Sequence, residues 1–348
     1  MSSVTDSSHE YLEGINMLAV DAKKVTPALL KKLTSSSSVE YVERMPARWT
    51  QAAKASKGVD PLLNLQWGLR AIRWFQAKRP KASRIEVAIL DTGIDDRHPD
   101  FKGVSISYNY KPFRKRDLLG HGTHVAGTVA ALANNSIGVA GVADCSLSIW
   151  KIFPDEPASD GEYYVDGEAY LRALRSVLDS RIKVVNLSIG GTEKSRTEAM
   201  LFRRMYDSGI TVCAAMGNDF EYGNPKEYPA GYDGVLSIGS IAENRVRSSF
   251  SNTGRHIDLV GPGSNILSTL PRQKSPFYDG TKYGVMSGTS MATPHVAGAA
   301  ALAVKKYPTL NALGIKKKLT KTQKLPMMRG KKWTPSYGAG LLDLSKAL

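Results

Sequence analysis

The chain predicts an α/β protein: a three-layer α/β/α sandwich on a mainly parallel central sheet, plus a small N-terminal strand–helix–strand segment. Three observations predict it. The apolar runs at 85–90, 184–187, 210–215 and 235–238 are near-continuous rather than alternating. That is the pattern of parallel strands buried on both faces. Helical patterns at 125–133, 170–178, 198–206 and 292–304 alternate with or follow these runs, as in a sheet covered by helices on both sides. Finally, Asp91 follows the first run, Ser188-Ile189-Gly190-Gly191 the second and Gly217-Asn218 the third. In parallel sheets the loops at the carboxyl ends of the strands carry the site.

The N-terminal segment comes first in the chain. Residues 15–20 read as a short strand, and 27–33 as a helix with Thr26 as N-cap and Pro27 in the first turn. Residues 35–38 are a turn or flexible spacer, 39–43 (Val39-Glu40-Tyr41-Val42-Glu43) a second strand, and 47–58 an exposed linker. The expected division is therefore 1–57 and 58–348.

Composition narrows the class. The chain has 348 residues, 42% hydrophobic and 23% charged, an ordinary globular balance with room for a large core. No apolar run reaches the roughly 18 residues of a membrane span. The polar, acidic start predicts no signal peptide. Cys145 and Cys213 sit in apolar, strand-like runs and read as buried free thiols rather than a disulfide. Together these predict a cytoplasmic protein, with non-standard export left open. The net charge is +15, and lysines crowd the C-terminal part, Lys316-Lys317-Lys318 among them. A basic face can attract nucleic acid or an anionic surface. With no aromatic interleaving and no nucleic-acid motif, it reads as a solvated face, and no nucleic-acid partner is expected.

Three windows carry the chemistry. Asp91 ends a strand predicted to be buried, where a carboxylate is costly without a hydrogen-bond partner. An imidazole N–H is a suitable one. His121 and His124 share the window His121-Gly122-Thr123-His124, whose spacing lacks the i, i+4 pair and intervening Glu of a zinc peptidase helix. Ser290 lies in Ser287-Gly288-Thr289-Ser290-Met291-Ala292-Thr293-Pro294-His295, with small residues before it and a helical pattern after. At a helix N-terminus its surroundings favour developing negative charge, though helix capping is the plainer use of a serine there. A serine attacks an acyl carbon well only when an imidazole takes its proton and a carboxylate orients the imidazole.

These windows, with Ala88-Ile89-Leu90-Asp91-Thr92-Gly93 as the first, resemble those of the subtilases, and Asp, His, Ser is the subtilisin order. The resemblance runs from about Asp60 to the closing Tyr337-Gly338-Ala339-Gly340 segment. It implies a serine endopeptidase in which Ser290 is the nucleophile, His121 rather than His124 the base, and Asp91 the orienter. Asn218 and the Ser290 N–H become the oxyanion donors. In Ala214-Ala215-Met216-Gly217-Asn218, Met216 departs from the family's small residue and is expected to crowd a pocket wall. Met291, beside the nucleophile, implies sensitivity to peroxide.

Protein or peptide substrates are expected to bind as an added strand on Ser188, Ile189 and Gly190, with 161–165 as the opposite edge. The pocket for P1, the residue before the scissile bond, is bounded by Ile189, Gly190, Asn218, Asp219 and the Glu227-Tyr228-Pro229 segment. Glu227 at its floor and Asp219 near its rim predict Lys or Arg at P1; the alternative is a broad apolar pocket with Glu227 turned to solvent. The resemblance also implies Ca²⁺, held by Asp60, Asp100, the Asn135 side chain and the carbonyls of Ala133, Ile137 and Val139. The N-terminal unit resembles the second half of the family's inhibitory propeptide. It implies a zymogen that processes itself, with Lys54 and Lys57 as cleavage points. Two readings from other classes stay open: a silent peptide-binding pseudoprotease and a basic surface-binding protein.

Overall fold

A computed structural model describes residues 9–12, 17–20, 26–39, 59–274 and 280–348. They belong to two compact units, Met1–Ala53 and Lys54–Leu348. In the first, β1 (His9–Leu12) pairs antiparallel with β2 (Met17–Val20), and α1 (Pro27–Thr34) follows. The Thr26 side chain caps α1 by accepting the Leu29 N–H at 3.2 Å. The observed order is strand–strand–helix, with β1 as an element the sequence pattern does not announce. Its sequence, His-Glu-Tyr-Leu, carries no apolar alternation, so pairing with β2 rather than local pattern defines it. Of the expected strand at 39–43 only Val39 is described, and the linker at 47–58 lies outside the described residues.

The second unit begins with α2 (Trp67–Ala71), β3 (Ala82–Asp91), β4 (Ile106–Asn109), α3 (His121–Ala130) and β5 (Cys145–Lys151). Next come α4 (Gly167–Leu178), β6 (Val184–Leu187), α5 (Arg196–Asp207), β7 (Thr211–Ala215), β8 (Val235–Ile241) and β9 (Leu259–Pro262). A hairpin of β10 (Ile266–Thr269) and β11 (Tyr283–Met286) leads to α6 (Thr289–Lys306), α7 (Ala312–Leu319) and α8 (Leu344–Ala347). Seven strands form one sheet in the order β4-β5-β3-β6-β7-β8-β9, every neighbouring pair parallel. β3 has β5 on one side and β6 on the other, so the build direction reverses there and leaves a crevice at the carboxyl ends.

The continuous apolar run of β3 is explained by its two covered faces. Val87 and Ile89 join a core with Val125 and Val129 of α3 and Val296 and Ala300 of α6. Ala88 and Leu90 join another with Leu174 of α4 and Phe202 and Met205 of α5. Each such Val, Ile or Leu side chain removed from water contributes about 1.5–3 kcal/mol. This is the expected three-layer sandwich. Cys145 and Cys213 are buried and free. No helix among the described residues is long and apolar enough to cross a membrane.

One helix differs usefully from its expected span. α3 opens at His121, not Val125, launched by Gly120 in the left-handed region (φ 78°). It stops at Ala130 because the carbonyls of Thr128, Val129 and Ala131 accept the N–H groups of Val142, Ala143 and Gly141. That ending turns Ala133 and its successors into a loop.

Candidate active site

Asp91 is the last residue of β3 and fully buried. Its Oδ1 accepts the Thr92 N–H at 2.7 Å and the His121 Nδ1–H at 2.8 Å, while Oδ2 has no hydrogen-bond partner. His121 is the first residue of α3, and 29% of its side chain stays exposed. With Nδ1 engaged, Nε2 is the nitrogen left for other work. Burial opposes a charged ring, yet the charge and hydrogen bond of Asp91, with the charge of Asp117, outweigh it and raise His121 above its ordinary value. His124 does not join. It is buried, its Nε2 bonded to the Ile266 carbonyl at 2.8 Å, and burial lowers its pKa to about 3.

The helix that carries His121 is held from below by Asp117, a residue that sequence reasoning misses. Asp117 Oδ1 accepts from Gly120 N (2.9 Å) and Thr92 Oγ1 (2.8 Å). Its Oδ2 accepts from Thr123 N (2.8 Å) and Thr123 Oγ1 (2.6 Å). Thr92 Oγ1 in turn takes the Gly122 N–H at 2.8 Å. Asp117 thus takes the N–H groups of Gly120 and Thr123 directly, and the Thr92 hydroxyl that it orients takes that of Gly122. The available signal is an acid four residues before a histidine that opens a helix. Gly122 is required by the close approach of α3 to β3, since a Cβ there would meet the Gly93 backbone and Asp91 Oδ1.

Ser290 is the second residue of α6. Its hydroxyl donates to the Ser188 carbonyl at 3.1 Å. The Ser188 hydroxyl donates to the Ser290 carbonyl at 2.8 Å and accepts from Asn186 Nδ2 at 3.0 Å. Asn218 Oδ1 accepts from Thr289 N (2.9 Å) and Thr289 Oγ1 (3.0 Å), which fixes the amide and leaves Nδ2 as the free donor. A Cβ built on Gly288 would lie 3.6 Å from both Asn218 Nδ2 and Ser290 N, and 3.7 Å from Met291 Sδ. The two backbone and amide donors thus flank one point, with the Met291 sulfur beside it. Met216 is a correction: its side chain is fully buried in the core and its Sδ receives the Ser237 hydroxyl at 2.8 Å. It packs inward instead of crowding a pocket.

Residues Ser188, Ile189 and Gly190 follow β6 directly, outside the sheet. Gly191 then bridges to Tyr228 through two backbone bonds of 2.8 and 3.0 Å. The segment 161–165 contains no strand, and Gly161 belongs to a turn closed by its N–H on the Ala158 carbonyl. Asp219 is exposed. Glu227 is only 6% exposed, so it is not turned to solvent. Its carboxylate lies against Gly190 and Gly217, where any Cβ would collide with it, and Gly217 also has a left-handed φ of 102°. Asn252 Nδ2 donates to Oε1 at 2.8 Å. Burial and the nearby charge of Asp219 push Glu227 up to about 7, against the Asn252 hydrogen bond.

Asp60 and Asp100 are buried. Asp60 accepts N–H groups from Asn134 (2.7 Å), Asn135 (2.9 Å) and Ser136 (3.2 Å). Asp100 accepts Val139 N at 3.0 Å and Asn135 Nδ2 at 3.3 Å. Burial and the charge of Asp60 leave Asp100 raised, against its own hydrogen bonds. Among the described residues no basic side chain pairs with either acid, and no donor reaches the carbonyls of Ala133, Ile137 or Val139. Two buried acids without a counter-charge beside free carbonyls fit a hard cation with oxygen ligands. No group of three His, Cys, Asp or Glu side chains suited to a metal occurs among the described residues, so a cation here would need carbonyl oxygens and the Asn135 amide oxygen, which accepts the Ile137 N–H at 2.7 Å.

A carboxylate, an imidazole and a hydroxyl delivered from β3, α3 and α6 to one edge of a parallel sheet belong to the serine hydrolases. Within that class the chain belongs to the subtilase family, whose profile matches residues 82–340. It is 34% identical over 324 residues to subtilisin E of Bacillus subtilis (strain 168), covering 91% of this chain and 77% of that protein. It is 39% identical over 242 residues to the major intracellular serine protease of the same organism, covering 66% and 71%. Among solved structures, fervidolysin from Fervidobacterium pennivorans, described as a keratinolytic enzyme related to subtilisin, superposes with a TM-score of 0.72 at 31% identity. That match covers 88% of this chain and 48% of fervidolysin, so the chain spans about half of that protein's length. The chain is a subtilisin-like serine endopeptidase.

Proposed function

We propose that the enzyme hydrolyses protein and peptide substrates with Ser290 as nucleophile, His121 as general base and Asp91 as orienting carboxylate. The observation that carries the reading is the 2.8 Å Asp91–His121 pair, in a chain that also sets Ser290 at the start of α6. Ser290 Oγ attacks the scissile carbonyl carbon while His121 Nε2 takes its proton. Asp91 keeps the proton on Nδ1 and stabilises the imidazolium. The oxyanion settles between Asn218 Nδ2 and Ser290 N, and one such donor lowers the barrier by about 3 kcal/mol. His121 returns the proton to the leaving amine, and water then hydrolyses the acyl-enzyme with the same base. Intact-mass spectrometry after fluorophosphonate treatment tests this. Wild type gains one adduct, on Ser290, and Ser290→Ala gains none; an unlabelled wild type, or a label elsewhere, removes the assignment.

The substrate strand lies along Ser188, Ile189 and Gly190, and Glu227 receives a Lys or Arg side chain at P1, with Asp219 at the rim. The buried position of Glu227 between two glycines supports this over a solvent-facing carboxylate. Asp60, Asp100, Asn135 and the carbonyls of Ala133, Ile137 and Val139 hold Ca²⁺. When bound, the ion neutralises the two acids and ties the residue 60 region to the 133–139 loop. The N-terminal unit acts as an inhibitory pro-segment, removed by cleavage after Lys54 or Lys57. The similarity to an intracellular protease supports a cytoplasmic location. N-terminal sequencing of wild type and Ser290→Ala tests processing: the mature start appears only in wild type.

A further inference from the structure

We infer that the Ser188 hydroxyl is a positioning group for the nucleophile, and that Pro294 makes it necessary. The inference rests on Ser290 being the nucleophile. In a helix the carbonyl of residue 290 is closed by the N–H of residue 294. Residue 294 is a proline inside α6, and proline has no N–H to give. The carbonyl of the peptide unit carrying the nucleophile therefore lacks its helical donor from residue 294.

Ser188 supplies a replacement. Its hydroxyl donates to the Ser290 carbonyl at 2.8 Å. A hydroxyl has one proton, and its direction is set by what the oxygen accepts. Here Asn186 Nδ2 donates to Ser188 Oγ at 3.0 Å, so the proton is free to point at Ser290. Asn186 lies in β6 and is fully buried, and Ser188 is 4% exposed. The relay Asn186 to Ser188 to Ser290 thus ties the first turn of α6 to the end of β6 through shielded groups. In return, the Ser290 hydroxyl donates to the Ser188 carbonyl at 3.1 Å, so residues 188 and 290 grip each other in both directions.

The grip matters because residue 188 also opens the segment assigned to the substrate backbone. One junction sets both the nucleophile and the strand it attacks. Either bond closes the Ser290 carbonyl and holds the first turn of α6; the Ser188 bond does so from the segment assigned to the substrate. Substrate contacts from residue 188 run through its backbone, so truncating the hydroxyl leaves them in place.

The test uses the full chain as Ser188→Ala, Pro294→Ala and the double variant, with kcat and KM on a peptide substrate, fluorophosphonate labelling rate and thermal midpoint. Ser188→Ala is expected to lose on the order of 10- to 100-fold in kcat and in labelling rate, the size of a small misplacement of a reacting group, with KM unchanged. In the double variant the alanine introduced by Pro294→Ala supplies the missing N–H, and most of the loss relative to Pro294→Ala alone returns. A Ser188→Ala kcat within about twofold of wild type overturns the inference, as does a loss that Pro294→Ala fails to restore. A wild type that takes no fluorophosphonate label defeats the underlying assignment instead, so the two failures are distinct. If Ser188→Ala does not fold, the Pro294→Ala background supplies a folded pair, and equal kcat with and without the hydroxyl there is the rescue the inference requires.

Discussion

Asp91 and Glu227 are both buried carboxylates near the carboxyl edge of the sheet, and their surroundings treat them in opposite ways. Asp91 meets two N–H donors on one oxygen, one from the backbone and one from His121. Glu227 has the Asn252 amide and faces the charge of Asp219. The first has a proton-bearing ring as partner without a substrate, although its Oδ2 is unpaired; the second has no counter-charge. A buried acid whose partner is built in serves the chemistry of every turnover. A buried acid short of a counter-charge is suited to selecting a ligand that brings one.

Asp91→Asn tests the corner with a built-in partner and has the largest expected effect, a fall on the order of 10⁴-fold in kcat. His121 is raised by Asp91, and activity needs the neutral ring. The acid limb of the wild-type kcat/KM profile therefore lies above the ordinary histidine value, and it moves to lower pH in Asp91→Asn. A limb that stays in place would mean that Asp91 does not set the base.

Glu227→Gln tests the incomplete corner. The preference for Lys or Arg over Phe at P1 is expected to fall on the order of 10- to 100-fold, the range for a charge-assisted bond. Glu227 is raised to about 7, so it is neutral below that pH and charged above it. The wild-type preference rises as pH increases through 7, and His121 cancels from the ratio because it serves both substrates. The folded state holds the Glu227 proton more tightly than the unfolded chain does. Its stabilisation is present at low pH and lost as pH rises towards and through about 7. Glu227→Gln accordingly raises the thermal midpoint more at pH 8.5 than at pH 5. A flat selectivity ratio across that range would dissolve the contrast with Asp91.

Asp60 and Asp100 extend the comparison to a pair of acids for which the proposed partner is an ion. Chelation is expected to lower the thermal midpoint by several degrees, since a ligand at about 100 times its Kd stabilises the fold by about 2.7 kcal/mol. Asp100→Asn should lower the midpoint in calcium and abolish the response to chelator. A midpoint indifferent to chelator in wild type would show that the hydrogen bonds of the protein alone satisfy these acids.

The parts legible in the sequence are those written locally. Asp91, His121, Ser290 and Asn218 stand in windows whose neighbours declare them, and the four apolar runs give the central strands. What is not legible depends on partners far along the chain. Asp117 looks like any loop acid until Thr92 and the first turn of α3 close on it. Met216 looks like a pocket residue until its sulfur is found on Ser237. Pro294 belongs to a recognised motif, yet its missing N–H acquires meaning only when residue 188 arrives from another strand. β1 has no apolar period of its own and is defined by pairing with β2.

The Ser290 hydroxyl rests on the Ser188 carbonyl, and this separates an idle enzyme from an engaged one. To react, the proton must leave an existing hydrogen bond, typically about 1 kcal/mol in net terms, and swing to the imidazole. A strand that adds along residues 188–190 competes for the same carbonyl with its own N–H and so releases the hydroxyl. In the proposed pose the acceptor that holds the substrate backbone doubles as a safety catch on the hydroxyl, acting before any side-chain pocket is consulted.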